Sequence, residues 1–274
     1  MLLLVANACR ADGWKLVWHD EFNRDGPPNP SNWDYERGFV RNQEAQCYQP
    51  ENAVCRNGLL IIEARREHKP NPDYRPDGTG WKNREFIDYT SACLITKHKQ
   101  EFTYGKIEMR ARIDTRPGSW PAFWTLGTSD DKLGWPACGE VDIMEYYRNM
   151  LLANICHTRA GRQVWTSPHK TLVALGGEAW ARRFHVWTME WDEKTIDLLM
   201  DGKLSAHFNV ADDDEPGKPN AFHNPQYLLL NQAIGGANGG DPSQTEFPVR
   251  LEVDWVRVYQ RTSPVGTEPS RQAR

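Results

Sequence analysis

No stretch of this 274-residue chain approaches the ~20 consecutive apolar residues that cross a bilayer, so no transmembrane span is expected. Positive charge is not in excess: 33 Lys and Arg against 37 Asp and Glu leave a formal net charge of −4, with no basic footprint. Nucleic acid and anionic membrane surfaces are therefore excluded as partners. The cysteines Cys9, Cys47, Cys55, Cys93, Cys138 and Cys156 form no C-x-x-C pair and no zinc-type spacing. Apart from Cys9 they read as small buried hydrophobes; a Cys47–Cys55 bridge stays open without strong support. Helical periodicity is missing from every long window, and at most a short turn fits residues 178–183. There is no internal repeat, and no loop is long enough to link domains. What remains is one large domain or two small ones, and an all-β sandwich of this size is commonly single.

Strand signals fill the chain instead. Asn57-Gly58 is a turn pair opening a strand over 59–65. Ile107, Met109, Ala111 and Ile113 alternate with Glu108, Arg110, Arg112 and Asp114, the pattern of a half-buried strand. Strands follow over 184–191 and 195–200, where Asp201-Gly202 turns the chain into 204–208 as a hairpin with a primed turn. Two more cover 227–234 and 251–259. Many strands separated by Gly, Pro and Asn predict a β-sandwich. The longest loops cover 25–31, 68–82 and 211–224.

Residues 1–11 read as the end of a secretory signal, and Ala6-Asn7-Ala8-Cys9 resembles a loose lipoprotein cleavage site. Export is the expectation. The β-sandwich is assigned to 12–261, and 262–274 to a polar tail.

Twelve tryptophans stand out, many beside Gly, Pro or acids. Large aromatics carry much burial energy, so a majority is expected in the core and a minority lining a cleft, where flat indoles stack on sugar rings. The most informative segment is Gly139-Glu140-Val141-Asp142-Ile143-Met144-Glu145. Acids are poor strand formers and costly to bury. In a regular strand Glu140 and Asp142 share one face and Glu145 takes the other. One residue bulged out near Ile143 or Met144 brings all three together. Two carboxyls flanking a bond, one ionised and one protonated, are what glycoside hydrolysis requires. Glu140 and Glu145 are the candidate pair, with Asp142 between them to orient Glu140 and hold the charge balance. Trp120, Trp124 and Trp135 lie near the acids in sequence. His157 is a candidate partner for the acid/base or a sugar hydroxyl, and the amides of Asn231 and Gln232 suit either sugar hydroxyls or backbone groups.

Glu140 to Glu145 resembles the E-x-D-x-x-E signature of glycoside hydrolase family 16, in its bulged, laminarinase-like form. The similarity continues through His19-Asp20-Glu21-Phe22, Asn42-Gln43-Glu44-Ala45-Gln46, Tyr104-Gly105-Lys106-Ile107-Glu108, Trp120-Pro121-Ala122-Phe123-Trp124, Leu230-Asn231-Gln232-Ala233-Ile234-Gly235-Gly236 and Val253-Asp254-Trp255-Val256-Arg257-Val258. The resemblance implies a concanavalin A-like jelly roll of two curved antiparallel sheets with the acids in a concave cleft. It implies retaining, endo-acting hydrolysis of a β-linked polysaccharide, with Glu140 as nucleophile, Asp142 as helper and Glu145 as acid/base. Trp120, Trp124 and Trp135 then line the cleft, and Asn42, Glu44 and His157 fall at substrate-touching positions. No cofactor is implied for catalysis. A structural calcium is implied on the opposite side, held by Glu21, the Gly58 carbonyl and Asp254, with waters completing the shell. Cys47 departs from the family's usual aromatic residue, and the 68–82 loop and the 150–153 segment are not the commonest versions; these departures bear on substrate more than on reaction.

The leading reading is an endo-β-1,3- or β-1,3(4)-glucanase acting as a monomer on its polymer. An endo-β-galactosidase of agar-, keratan- or mucin-type glycans is the alternative, and a non-catalytic carbohydrate-binding sandwich is disfavoured because a binder has no use for three acids in catalytic register.

Overall fold

The computed structural model describes residues 13–262. The signal-like start with Cys9 and nearly all of the polar tail lie outside the described residues. Two sheets, of ten and nine strands, pack face to face as a jelly-roll sandwich. The path across the larger sheet runs Lys203–Asn209, Thr195–Met200, His185–Trp191, Gly105–Ile113, Val249–Arg261, Leu59–Pro70, Phe86–Ser91 and Gln46–Tyr48. The path across the other runs Arg162–Thr166, Met150–Arg159, Glu140–Tyr147, Ser119–Gly127, Gln226–Ile234, Cys93–Ile95 and Asp34–Tyr35. This second sheet carries the acids and is called the site sheet below.

Alternation builds the interior. In Gly105–Ile113 the odd positions are buried throughout while Lys106, Glu108, Arg110 and Arg112 are half-exposed. Ile107, Met109 and Ala111 join Phe123, Val141, Ile143, Leu228 and Leu230 in one cluster between the sheets. Each of these side chains other than Ala111 contributes about 1.5–3 kcal/mol by leaving water. The outward arginines contribute less: Arg110 pairs with Asp254 and Arg112 with Glu252 across the strand interface, half in solvent.

Asn57 and Gly58 have φ of 54° and 75°, and Asp201 and Gly202 have 49° and 72°. Both are the left-handed pairs that a two-residue hairpin with primed geometry requires. One strand pair departs from the antiparallel expectation: Gln46–Tyr48 runs parallel to Phe86–Ser91. A parallel neighbour needs a crossover, and here the hairpin of Ala53–Arg56 and Leu59–Pro70 lies between the two in sequence. The short turn expected near 178–183 forms at Glu178–Ala181, and other single helical turns interrupt the loops.

The five described cysteines are free thiols, four of them buried and Cys47 half-buried, so no Cys47–Cys55 bridge exists. Trp33, Trp180, Trp187 and Trp191 are buried in the main core, with Trp18 packed against it. That is fewer than the majority expected. Trp14, Trp81 and Trp255 instead carry Lys or Arg on their faces, which covers an indole outside the core.

Candidate active site

The acids converge because of a bulge. Along Ser119–Gly127, Leu126 faces Glu140 and Trp124 faces Asp142, but Phe123 faces Met144 and Ala122 faces Glu145. Ile143 therefore has no partner on that side. On the other side Asp142 pairs with Asn154 and Glu145 with Leu152, again one residue out of step. Ile143 and Met144, consecutive in sequence, both enter the inter-sheet core. The two-residue period is spent once, and Glu145 returns to the face that carries Glu140 and Asp142. Just upstream, Gly139 sits at φ 78°, where a Cβ would stand 2.8 Å from Ala221 Cβ; only glycine fits this entry to the acid strand.

The three carboxyls share few donors. Trp135 Nε1 donates to Glu140 Oε2 at 2.6 Å, and Trp120 Nε1 to Glu145 Oε1 at 2.7 Å. Asn154 Nδ2 donates to both Asp142 Oδ2 at 2.9 Å and Glu145 Oε2 at 2.6 Å. Burial dominates their titration. It pushes Glu140 up to about 7, an effect opposed by the Trp135 N–H and reinforced by the charge of Glu145. It pushes Glu145 up to about 8, with Asp142 adding to the rise. Asp142, the most enclosed, is held well above the carboxylate range by burial and by Glu140 beside it. The Asp142 carboxyl beside Glu140 favours the ionised form there while its own proton affinity is raised.

These acids lie on the floor of a cleft of about 620 Å³ on the outward face of the site sheet. Trp120, Ala122, Trp124 and Leu126 reach it at period two from the neighbouring strand. A second small core braces that wall: Trp124, Ala122, Tyr48, Cys93, Tyr227 and Leu229 pack together on the cleft face of the sheet. Trp124 Nε1 is tied to Asn231 Oδ1 at 2.8 Å, and Asn231 Nδ2 to the Tyr48 hydroxyl at 3.2 Å. Asn42 and Glu44 form the near wall. Gln46 Nε2 donates to Glu44 Oε2 at 2.6 Å, and Asn42 Nδ2 reaches Oε1 at 3.5 Å. Their turn rests on Gly235-Gly236, where a Cβ on Gly236 would stand 2.7 Å from the Asn42 carbonyl. Arg41, the cation of the cleft, is paired with Glu36 and lies over the Trp124 ring at 5.0 Å.

Trp120, Trp124, Trp135, Asn42 and Glu44 thus join Glu140, Asp142 and Glu145 around one cavity. His157 does not. It occupies the opposite face of its strand from Asn154, is 2% exposed, and binds Asp213 at 2.8 Å between Phe208 and Phe222. Period two explains this correction, because an odd step from Asn154 points into the sandwich. Cys47 is likewise absent from the cleft lining, and the Gln232 amide is spent on Ser119 and the Ala233 carbonyl. Sequence reasoning missed Asn154, Gln163, Ser167 and Trp165, which line the other flank. Trp165 is 41% exposed and Trp135 51%, their rings 6.4 Å apart. An exposed tryptophan on an edge hairpin was the available signal.

Of the residues expected to hold calcium, both acids are engaged by arginines in this structure. Both Glu21 oxygens accept from Arg257 at 2.8 Å, and Asp254 is paired with Arg110. A divalent ion here would share the Glu21 carboxylate with Arg257 and reach Asp254 through Oδ1, the oxygen that Arg110 leaves open. Among the described residues no group of three or more His, Cys, Asp or Glu is placed to hold a metal.

Three carboxyls gathered on the floor of a tryptophan-walled cleft define a glycoside hydrolase. The particular family follows from comparison: the model of glycosyl hydrolases family 16 matches residues 42–257, and the chain belongs to that family. It is 37% identical over 268 residues to a beta-glucanase of Rhodothermus marinus, covering 92% of this chain and 87% of that protein. The laminarinase catalytic domain of Thermotoga maritima superimposes with a TM-score of 0.78 at 33% identity, covering 92% of this chain and 100% of the other. A structure from work on endo-acting O-glycanases of the human gut microbiota that initiate mucin breakdown gives 0.82 at 32% identity, covering 91% and 92%. Two longer curated relatives are spanned over only 35% and 38% of their length.

Proposed function

We propose that this chain is an endo-acting, retaining glycosidase that cuts internal β-1,3 or mixed β-1,3(4) bonds of a neutral glucan. The bulge at Ile143, which turns Glu140, Asp142 and Glu145 to one face of the cleft, is the observation that carries the reading. Glu140 attacks the anomeric carbon, and the bond to the departing sugar breaks as Glu145 delivers its proton to the glycosidic oxygen. Glu145, now ionised, then takes a proton from water, which displaces Glu140 and releases the β-configured product. Burial raises the proton affinity of both glutamates, while the Trp135 N–H and the Asp142 carboxyl favour ionised Glu140, which supports this division. Asp142 steadies the Glu140 carboxylate.

Two observations support a neutral glucan. Relatives named for β-glucan hydrolysis cover most of this chain. The cleft also offers no free counter-charge to an acidic chain, because its lining arginine, Arg41, is already paired with Glu36. The likeness to an endo-acting O-glycanase structure favours a second reading, hydrolysis of a neutral mucin-type glycan. Either polymer is too large to enter a cell, so the proposal includes export, and a monomer that leaves both cleft ends free.

The test is a panel of laminarin, lichenan, agarose, keratan sulfate and mucin, with reducing-sugar release, product linkage and anomer followed by NMR. Laminarin and lichenan should yield oligosaccharides that appear first as the β anomer. Glu140→Gln should abolish release while circular dichroism stays unchanged. No release from any of the five by the wild type sinks the hydrolase reading, and release from mucin alone replaces the glucan with the second substrate.

A further inference from the structure

We infer that Arg84 is a positioning residue for the Asn42/Glu44 wall of the cleft, delivered there by the long excursion between strands Leu59–Pro70 and Phe86–Ser91. The guanidinium does not enter the cleft. It faces the back of the turn that does, donating to three consecutive carbonyls: Gln43 at 3.3 Å, Glu44 at 2.8 Å and Ala45 at 3.2 Å. Such convergence is unusual for an ordinary loop contact. Asn42 and Gln43 both have positive φ, 52° and 53°, a conformation that side-chain-bearing residues hold only when their surroundings impose it. The turn runs outside both sheets, so its carbonyls have no ladder partner, and a planar cation with five donors supplies them.

The arginine is itself held. Its Cζ lies 4.5 Å from the Phe39 ring centroid and 5.6 Å from that of Trp81, and its Nε donates to the Trp81 carbonyl at 3.1 Å. The excursion behind it is cross-braced rather than loose. Asn71 Nδ2 donates to the Arg84 carbonyl at 2.7 Å, and the Asn83 amide ties Arg75 and Gly78 through bonds of 2.7–2.9 Å. From the far side, Ala237 N donates to the Asn42 carbonyl at 2.9 Å and Ala45 N to that of Ile234 at 2.8 Å. The turn is thus clamped between Arg84 and the glycine-rich end of Gln226–Ile234. Asn42 and Glu44 project from the clamped segment into the cleft, whereas Glu140, Asp142 and Glu145 stand on a different strand. Arg84 accordingly governs how substrate is held and leaves the reacting acids in place.

The inference rests on the hydrolase reading above. Arg84→Ala, Arg84→Lys and Trp81→Ala are compared with wild type on laminarin at 25 °C, and laminarihexaose binding is measured by calorimetry. Loss of the guanidinium should raise KM and the calorimetric Kd by about tenfold, the equivalent of one charge-assisted hydrogen bond, with kcat within about threefold. Arg84→Lys should recover only part, since an ammonium lacks the planar fork, and Trp81→Ala should show a smaller rise of the same kind. Should Arg84→Ala not fold, the other two variants carry the test. Wild-type KM and Kd in the folded variants, even with a lowered melting temperature, overturn the inference and leave Arg84 a stabilising residue only. A wild type that neither cleaves nor binds overturns both readings; an active wild type with unaltered variants overturns this one alone.

Discussion

Replacing Glu145 by Gln should make the protein more stable at alkaline pH while removing its activity. The carboxyl is surrounded on every side but the cleft, and its affinity for a proton rises from the usual 4.5 to about 8. A carboxyl whose native value exceeds its unfolded value binds the proton more tightly when folded. The resulting stability is complete below about 4.5 and is lost as pH rises through about 8. At pH 8 the forfeited stability is on the order of 4 kcal/mol before allowance for solvent reaching the group through the cleft. Glutamine cannot ionise and escapes this loss. It has one acceptor oxygen, however, where Trp120 and Asn154 now donate to two, and a mismatched donor costs about 1 kcal/mol. With about 1 kcal/mol also taken off for solvent reaching the carboxyl through the cleft, the net gain at pH 8 is about 2 kcal/mol, or roughly 4–8 °C in Tm for a domain of this size. At pH 5 the gain disappears and the mismatch leaves the variant level with wild type or slightly below. Thermal unfolding followed by near-ultraviolet circular dichroism at both pH values measures this. A variant no more stable than wild type at pH 8, or stabilised equally at both, would refute the claim that the carboxyl is held protonated by burial.

Trp135→Phe removes the N–H that favours ionised Glu140; the acidic limb of the kcat/KM profile should move to higher pH, and an unmoved limb refutes the contact. Trp165→Ala removes an exposed face from the far flank, so KM should rise by about tenfold, as expected for losing ~1.5 kcal/mol of stacking. An unchanged KM for long oligosaccharides denies that flank a role in binding. Because Glu21 and Asp254 are each committed to an arginine, EDTA should leave Tm unchanged, and a calcium-dependent rise would show that the ion binds despite those pairs.

Much of this protein is legible locally. The alternation of Gly105–Ile113 and the turn pairs Asn57-Gly58 and Asp201-Gly202 act over a few residues, so the pattern survives into the fold unaltered. The bulge was legible too, because three acids among Val, Ile and Met leave few ways to avoid burying charge on the core side. His157 shows where local reading fails. Chemistry suggested a sugar contact, but its face depends on the register of a strand two neighbours from the cleft wall, and register is settled by tertiary pairing. The arginine pairs of Glu21 and Asp254 are hidden for a similar reason: Arg257 and Arg110 lie far from their acids in sequence, and nothing near either acid announces them.

The sequence alone pointed to the reaction class, since three acids among Val, Ile and Met favour a bulge that gathers the carboxyls, and the segment around them resembles a known hydrolase signature. Tertiary structure decided that these carboxyls hold their protons more tightly than free acids, because the shift arises from burial and is tempered by donors elsewhere in the chain, Trp120, Trp135 and Asn154. It also decided the walls of the cleft. Trp165 enters from an edge hairpin, and Asn42 and Glu44 are set by Arg84 some forty residues downstream. Contacts of that separation leave no periodic trace in the chain; they exist only once the sheets have closed.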